Sequence, residues 1–145
     1  MVALAAVAAT CSLAAARTAI RATRATVPSL AGGHVPVPAD PKAIDRVVCF
    51  DGAMGVSLAS GGTAGDVAWL AFAPAKSGWR VLRSEGGYKL GLYADGGRLD
   101  VVLPVYKKSD PNCCPSGGFD WAGYLYAGGK LELVGIWHTA KFKRP

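Results

Sequence analysis

Apolar and polar positions alternate along much of the second half of the chain. Tyr88, Leu90 and Leu92 fall on one side of an extended segment with Lys89 on the other, and Leu99, Val101, Leu103 and Val105 make a second such row. A period of two belongs to a half-buried strand, whose successive side chains point to opposite faces. Further β-rich runs are "DVAWLAFA" (66–73), "WRVLRS" (79–84), "FDWAGYLYA" (119–127) and "KLELVGIWHTA" (130–140). Glycine pairs separate them, and "EGG" (85–87) and "DGG" (95–97) place glycines where tight hairpins need positive φ. After Val48 no stretch of about 12 residues has the helical period. The pattern predicts a mainly β fold: a single small antiparallel meander or sheet domain of about five to seven strands, with at most one short N-terminal helix.

Upstream, "DPKAIDRVV" offers Asp40 as a helix N-cap and Pro41 at the first helical position. A short helix to about Val48, or a direct run into a strand at "VVCF", is expected there. The globular domain is thus expected over 40–145, with Trp69, Trp79, Trp121 and Trp137 as its largest core side chains. Residues 17–39 are first Arg- and Thr-rich ("RTAIRATRAT") and then Pro- and Gly-rich ("TVPSLAGGHVPVPA"), and predict a linker in which His34 is incidental. Residues 1–16, "MVALAAVAATCSLAAA", are apolar and end in small residues. That suits the apolar region and cleavage site of a secretory leader, cut near Ala16, and the run is shorter than the about 20 residues of a membrane-spanning helix. An organelle-targeting segment is the alternative, because the Arg/Thr stretch holds no acid. Cys11 is a candidate lipidation site, with an atypical "AAT" before it.

Charge changes the picture little. The net charge is +6, but Arg17, Arg21 and Arg24 all precede Asp40, the first acidic residue. From Asp40 onward 13 Lys and Arg face 10 Asp and Glu, which leaves +3, with the signs interspersed. This is a solvated surface rather than a nucleic-acid face. Apolar residues make up 51% of the 145, an ordinary globular balance.

Catalytic patterns are weak. "GVSLA" (55–59) approaches a nucleophile elbow, and Ser57, Asp100 and His138 follow hydrolase order, but the elbow needs the strand–turn–helix of a much larger α/β fold. Asp95, Asp100, Asp120 and Glu132 are carboxylates beside turns or on polar strand faces, where solvated acids are commonplace. The "DGG" turn lacks the alternating oxygen ligands of a calcium loop. Adjacent Cys113 and Cys114 converge poorly on zinc, so no metal or cofactor is expected. Cys49, Cys113 and Cys114 are disulfide candidates: the expectation is Cys49 bonded to Cys113 or Cys114, with a Cys113–Cys114 bridge as the minority alternative.

The segment "YKKSDPNCCPSGGFDWAGYLYAGGKLELV", Tyr106 to Val134, resembles the C-terminal signature of the LppP/LprE-type lipoproteins of actinobacteria, through its D-P-N-C-C-P-S-G-G corner between aromatic strands. The resemblance implies an exported, envelope-associated protein and brings no catalytic residues with it. The expected function is a non-enzymatic structural or ligand-binding domain of the cell envelope, secreted or lipid-anchored. Its partner would be an envelope protein or glycan, with Trp121, Tyr124, Tyr126 and Trp137 as the candidate aromatic surface and no contact with nucleic acid. The alternative is a small secreted hydrolase or thiol enzyme using Ser57 with His138, or Cys113 or Cys114.

Overall fold

The computed structural model describes residues 11–29 and 35–145. Most of the expected leader and the centre of the expected linker, with His34, lie outside the described residues. Among those described the chain forms one α-helix, α1 (Leu13–Thr23), one 3-10 turn (Pro41–Ala43) and ten strands. These are β1 (Thr26–Pro28), β2 (Pro36–Pro38), β3 (Ile44–Phe50), β4 (Ala53–Ala59), β5 (Asp66–Ala75), β6 (Gly78–Gly86), β7 (Gly91–Asp95), β8 (Arg98–Pro104), β9 (Phe119–Ala127) and β10 (Lys130–Thr139). Strands β3-β4-β5-β6 form one antiparallel meander and β7-β8-β9-β10 another, while β1 and β2 make a short ribbon. The mainly β architecture is as expected, with more strands than the pattern resolved.

Both faces of the first meander are covered. Along β4, Met54, Val56 and Leu58 pack with Ala68, Leu70 and Phe72 of β5 against Ala16, Ala19 and Ile20 of α1. The other face, with Ala53, Trp69 and Ala71, meets Leu92, Leu99, Val101 and Tyr124 of the second meander. The layers are therefore helix, sheet, sheet. Burying the five larger side chains under the helix is worth about 10 kcal/mol, as much as the whole net stability of a typical domain.

This corrects the expected organisation of the N-terminal part. The boundary at residue 16 falls inside α1, and residues expected as linker supply the second half of that helix and the ribbon. Ser12 caps the helix, accepting from the Ala15 N–H at 3.0 Å. Its buried residues recur at i, i+3 and i+4, as one helical face requires. An alanine-rich amphipathic helix and a leader's apolar region look alike in composition. At Asp40 the cap forms as predicted, its carboxylate accepting from the Lys42 N–H at 2.9 Å, but Ile44 already begins a strand after a single turn.

"DGG" makes its hairpin, pairing Asp95 with Arg98 across Gly96 and Gly97 at positive φ. "EGG" does not. Glu85 and Gly86 finish β6, and the chain then crosses along the start of β5, the Gly87, Lys89 and Leu90 N–H groups donating to Val67, Ala64 and Asp66. Leu103 Cδ2 lies 2.6 Å from where a Cβ on Gly87 would sit, so this glycine serves close packing. The crossover places β7 against β3 and leaves β6 against β10.

The C-terminal tail closes the outer face of the second meander. Phe142 meets the rings of Tyr93, Phe119 and Trp121 at centroid distances of 5.3–5.7 Å. Asp100, fully buried, is held by Arg98 (Nε–Oδ1 2.7 Å) and by Arg144 (Nη2–Oδ2 2.6 Å). Together the two guanidiniums direct four N–H donors at the one buried carboxylate, the pairing that keeps such a charge inside.

All four cysteines are paired, but not as expected. Cys49 bonds to Cys11, the lipidation candidate, instead of to Cys113 or Cys114, and Cys113 bonds to its neighbour Cys114, the minority alternative above. Setting Cys11 aside with the leader had removed the true partner from consideration. Paired cysteines throughout are the mark of an oxidising compartment. Closing a loop over the 38-residue separation of Cys11 and Cys49 contributes about 4 kcal/mol on the chain-entropy model. Cys49→Ser, or equally Cys11→Ser, is expected to lower unfolding stability in urea by about 3–4 kcal/mol for the oxidised protein. With reductant present, wild type and variants should unfold together, and Cys49 should appear joined to Cys11 in non-reducing peptide maps.

Candidate functional site

Two β-bulges at one end of the first meander set the site. Ile44 pairs with Leu58 and Arg46 with Ser57, so Asp45 is an extra residue in β3; Leu58 pairs with Ala68 and Ala59 with Asp66, so Val67 is an extra residue in β5. A bulge bends its strand and re-aims the flanking side chains. Here the bulge in β5 brings Asp66 to the centre strand's Ser57, and the bulge in β3 sets Asp45 near enough to act on the Asp66 carboxyl. Ser57, fully buried on the inner face of β4, donates to Asp66 Oδ2 at 2.7 Å.

The pair borders a pocket of about 450 Å³, walled also by Arg46, Lys89, Leu92 and Tyr93. Arg46 is fixed in place: its Nη1 donates to the Leu92 carbonyl at 3.1 Å, and its guanidinium lies over the Tyr93 ring at 4.8 Å. Partial burial pushes the Asp66 carboxyl above its ordinary range. The Ser57 hydroxyl opposes this shift, Asp45 adds to it, and Arg46 opposes it. Two neighbouring carboxylates can together accept hydrogen-bond donors from a third group. Among the described residues no three acidic, His or Cys side chains converge as a metal site.

Elsewhere the predicted residues disperse. Ser57 turns to Asp66, while His138 Nδ1 is paired with Asp120 Oδ1 at 2.7 Å on exposed strand positions of β9 and β10. The Ser57–His138 constellation is therefore absent, and Cys113 and Cys114 present no free thiol. Of the carboxylates weighed earlier, Asp100 is an internal ion-pair anchor and Asp95 lies 4.0 Å from Arg144. The expected aromatic surface is split. Trp121 is buried, its indole N–H donating to Thr139 Oγ1 at 2.9 Å, and Tyr124 is buried on the opposite face of β9 with its ring 5.4 Å from that of Trp69. Tyr126 packs on that inner core, and Trp137 lies under the Arg98 guanidinium. Alternation along β9 sends adjacent residues to opposite faces, so aromatic richness in a strand does not make a patch.

The double-cysteine corner is a brace. Asp110 accepts from the Lys107 and Ser116 N–H groups at 2.7 Å each and from the Ser116 hydroxyl at 2.6 Å, bonds that hold its carboxyl below the usual range. Asn112 accepts from the hydroxyls of Tyr88 and Tyr106, both at 2.8 Å, and its carbonyl also accepts from Lys89 Nζ. Gly117 passes so close to the Val105 carbonyl that a Cβ would lie 2.6 Å from it. The signature residues thus tie the crossover before β7 to the loop before β9.

Comparison with family models, with curated proteins and with solved structures returns no match to this chain.

The raised Asp66 pKa has a definite sign. The fold favours the protonated form, so the linked stability is fully present below the unfolded value of 3.8 and is lost as pH rises through the folded pKa. Asp66→Asn keeps an acceptor for Ser57 and removes the charge. It is expected to raise Tm at pH 7 by about 2–5 °C and to flatten the fall in Tm as pH rises from about 4. Melting curves across pH check this, and a lower Tm at pH 7 would show that Asp66 is a stabilising ion instead.

Proposed function

We propose that this is an exported domain of the cell envelope that binds a small cationic, hydrogen-bond-donating ligand, without catalysis, in the pocket beside Asp45 and Asp66. The observation that carries the reading is the carboxyl pair itself, placed at one pocket by two bulges, with Asp66 partly buried although burial disfavours its ionised form. Features kept against stability are characteristic of working sites. Two neighbouring carboxyl groups can accept an ammonium group together, and Tyr93 with the fixed Arg46 offers a flat wall beside them. An amino sugar has this combination of ammonium and hydroxyl donors, which also suits the glycan partner expected from the sequence. Export is supported by the disulfide pairing and by the likeness of the Tyr106–Val134 segment to the LppP/LprE-type lipoproteins.

Glucosamine and glucose, titrated at pH 7 and followed by amide chemical shifts, test the ligand class. Glucosamine should move resonances of Asp45, Arg46, Asp66 and Tyr93, and bind about tenfold more tightly than glucose, the value of one charge-assisted hydrogen bond. Its affinity should fall as pH drops and Asp66 takes up its proton. Equal affinity for the two sugars, or shifts outside the pocket, would reject the reading. Fractionation of the native host, with the N-terminus of the mature chain read by mass spectrometry, tests export separately, and recovery in the cytoplasm would refute it.

A further inference from the structure

The outer face of α1 carries Arg17, Arg21 and Arg24 at spacings of four and three, all exposed. Residues 1–39 contain no carboxylate side chain, and among the described residues none of the three arginines is ion-paired. The nearest acid in sequence, Asp40, is turned to the Lys42 N–H. Beside Arg21 and Arg24 opens a pocket of about 320 Å³ whose other walls are aliphatic, chiefly Ile20, Ala25, Pro38 and Pro41. An apolar recess with two unpaired guanidiniums at its edge has the polarity of an amphiphilic anion.

Arg24 adds an independent observation. It is the left-handed residue that ends the helix, at φ 50, with its N–H directed to the Ile20 and Arg21 carbonyls and the Ala25 N–H returning to Ile20. Helices usually place glycine at this position, because a Cβ there is strained. An arginine at a strained position, with no protein partner for its guanidinium, is retained at a cost that its own contacts do not offset. A role in complementing the helix dipole accounts for basic residues in the last turn, but not for the left-handed one or for the pocket. The C-terminal end of a helix by itself repels anions, so recognition would fall on the two guanidiniums.

We infer that this pocket binds a short-chain amphiphilic monoanion, a carboxylate on an alkyl chain, with Arg21 and Arg24 holding the carboxylate and Ile20, Ala25, Pro38 and Pro41 receiving the chain. The volume is at the low end of the about 300–1,000 Å³ of small-molecule sites, which favours a short chain. The inference is independent of the Asp45–Asp66 pocket.

Octanoate below its micellar concentration is the probe, with octanol as the uncharged control and phosphatidylglycerol vesicles as a membrane control, on the full oxidised chain. Amide shifts should centre on residues 20–25 and 38–42, with octanol bound at least about tenfold more weakly. Arg21→Gln with Arg24→Gln should abolish the discrimination between the two. Arg24→Gly separates function from structure: it should raise Tm by roughly 2–4 °C through relief of the left-handed strain, while weakening octanoate by about tenfold. The inference is overturned by no octanoate binding at about 10 mM, where even a weak site of this size would register. It is also overturned by equal binding of octanol, by an Arg24→Gly variant of unchanged affinity, or by binding to the vesicles alone.

Discussion

Met54, Val56 and Leu58 point one way along β4, Ala53, Gly55 and Ser57 point the other, and water reaches neither side. A meander whose central strands are apolar on both faces cannot stand alone; it needs a cover on each side. The second meander supplies one cover and α1 the other, and much of the remaining structure follows from holding those covers in place. Cys11–Cys49 ties the start of the helix to β3, and the Arg98–Asp100–Arg144 cluster ties the tail across the second sheet. The small side chains of Ala16 and Ala19 let the helix lie close to the sheet. The helix is therefore as much a part of the core as any strand.

The same constraint shapes the candidate site. Ser57 is directed inward because its neighbours on β4 alternate, and a buried hydroxyl needs a partner. The bulge in β5 brings Asp66 to it, and the bulge in β3 then sets Asp45 alongside. One acid satisfies the serine, and the second is what makes the pair a candidate site.

The strands of the second meander were legible where residue types alternate, even though Asp100 and Val102 on the second face of β8 are buried as well. Leu99 and Val101 flank the charged Asp100, whose place inside is made possible by Arg98 and Arg144, and "DGG" marks its hairpin. In β4 and β5 the alternation disappears, since both faces are buried, and only the bounding glycines betray them. The cysteine pairing was not legible: four cysteines allow three connectivities, and spacing does not choose between them. Asp45 and Asp66 were missed for a related reason. A bulge is a mismatch of register between two strands, and neither strand carries it alone. The signal that α1 is a folded helix was present in Ala16, Ala19 and Ile20 against Arg17, Arg21 and Arg24. That is a helical period.

The double-cysteine corner shows how a short signature can be specific without being chemical. Within nine residues, Asp110 closes the loop on Ser116, Asn112 gathers Tyr88, Lys89 and Tyr106, and Gly117 admits the Val105 carbonyl. Each residue type is fixed by a separate geometric need, so few substitutions satisfy all of them together. Lys89 connects this brace to the candidate site, because it also walls the pocket beside Asp66. Its backbone is left-handed, at φ 51, in the crossover that no hairpin could replace. A corner that pins Lys89 therefore fixes one wall of the pocket, so the signature acts by limiting what can move.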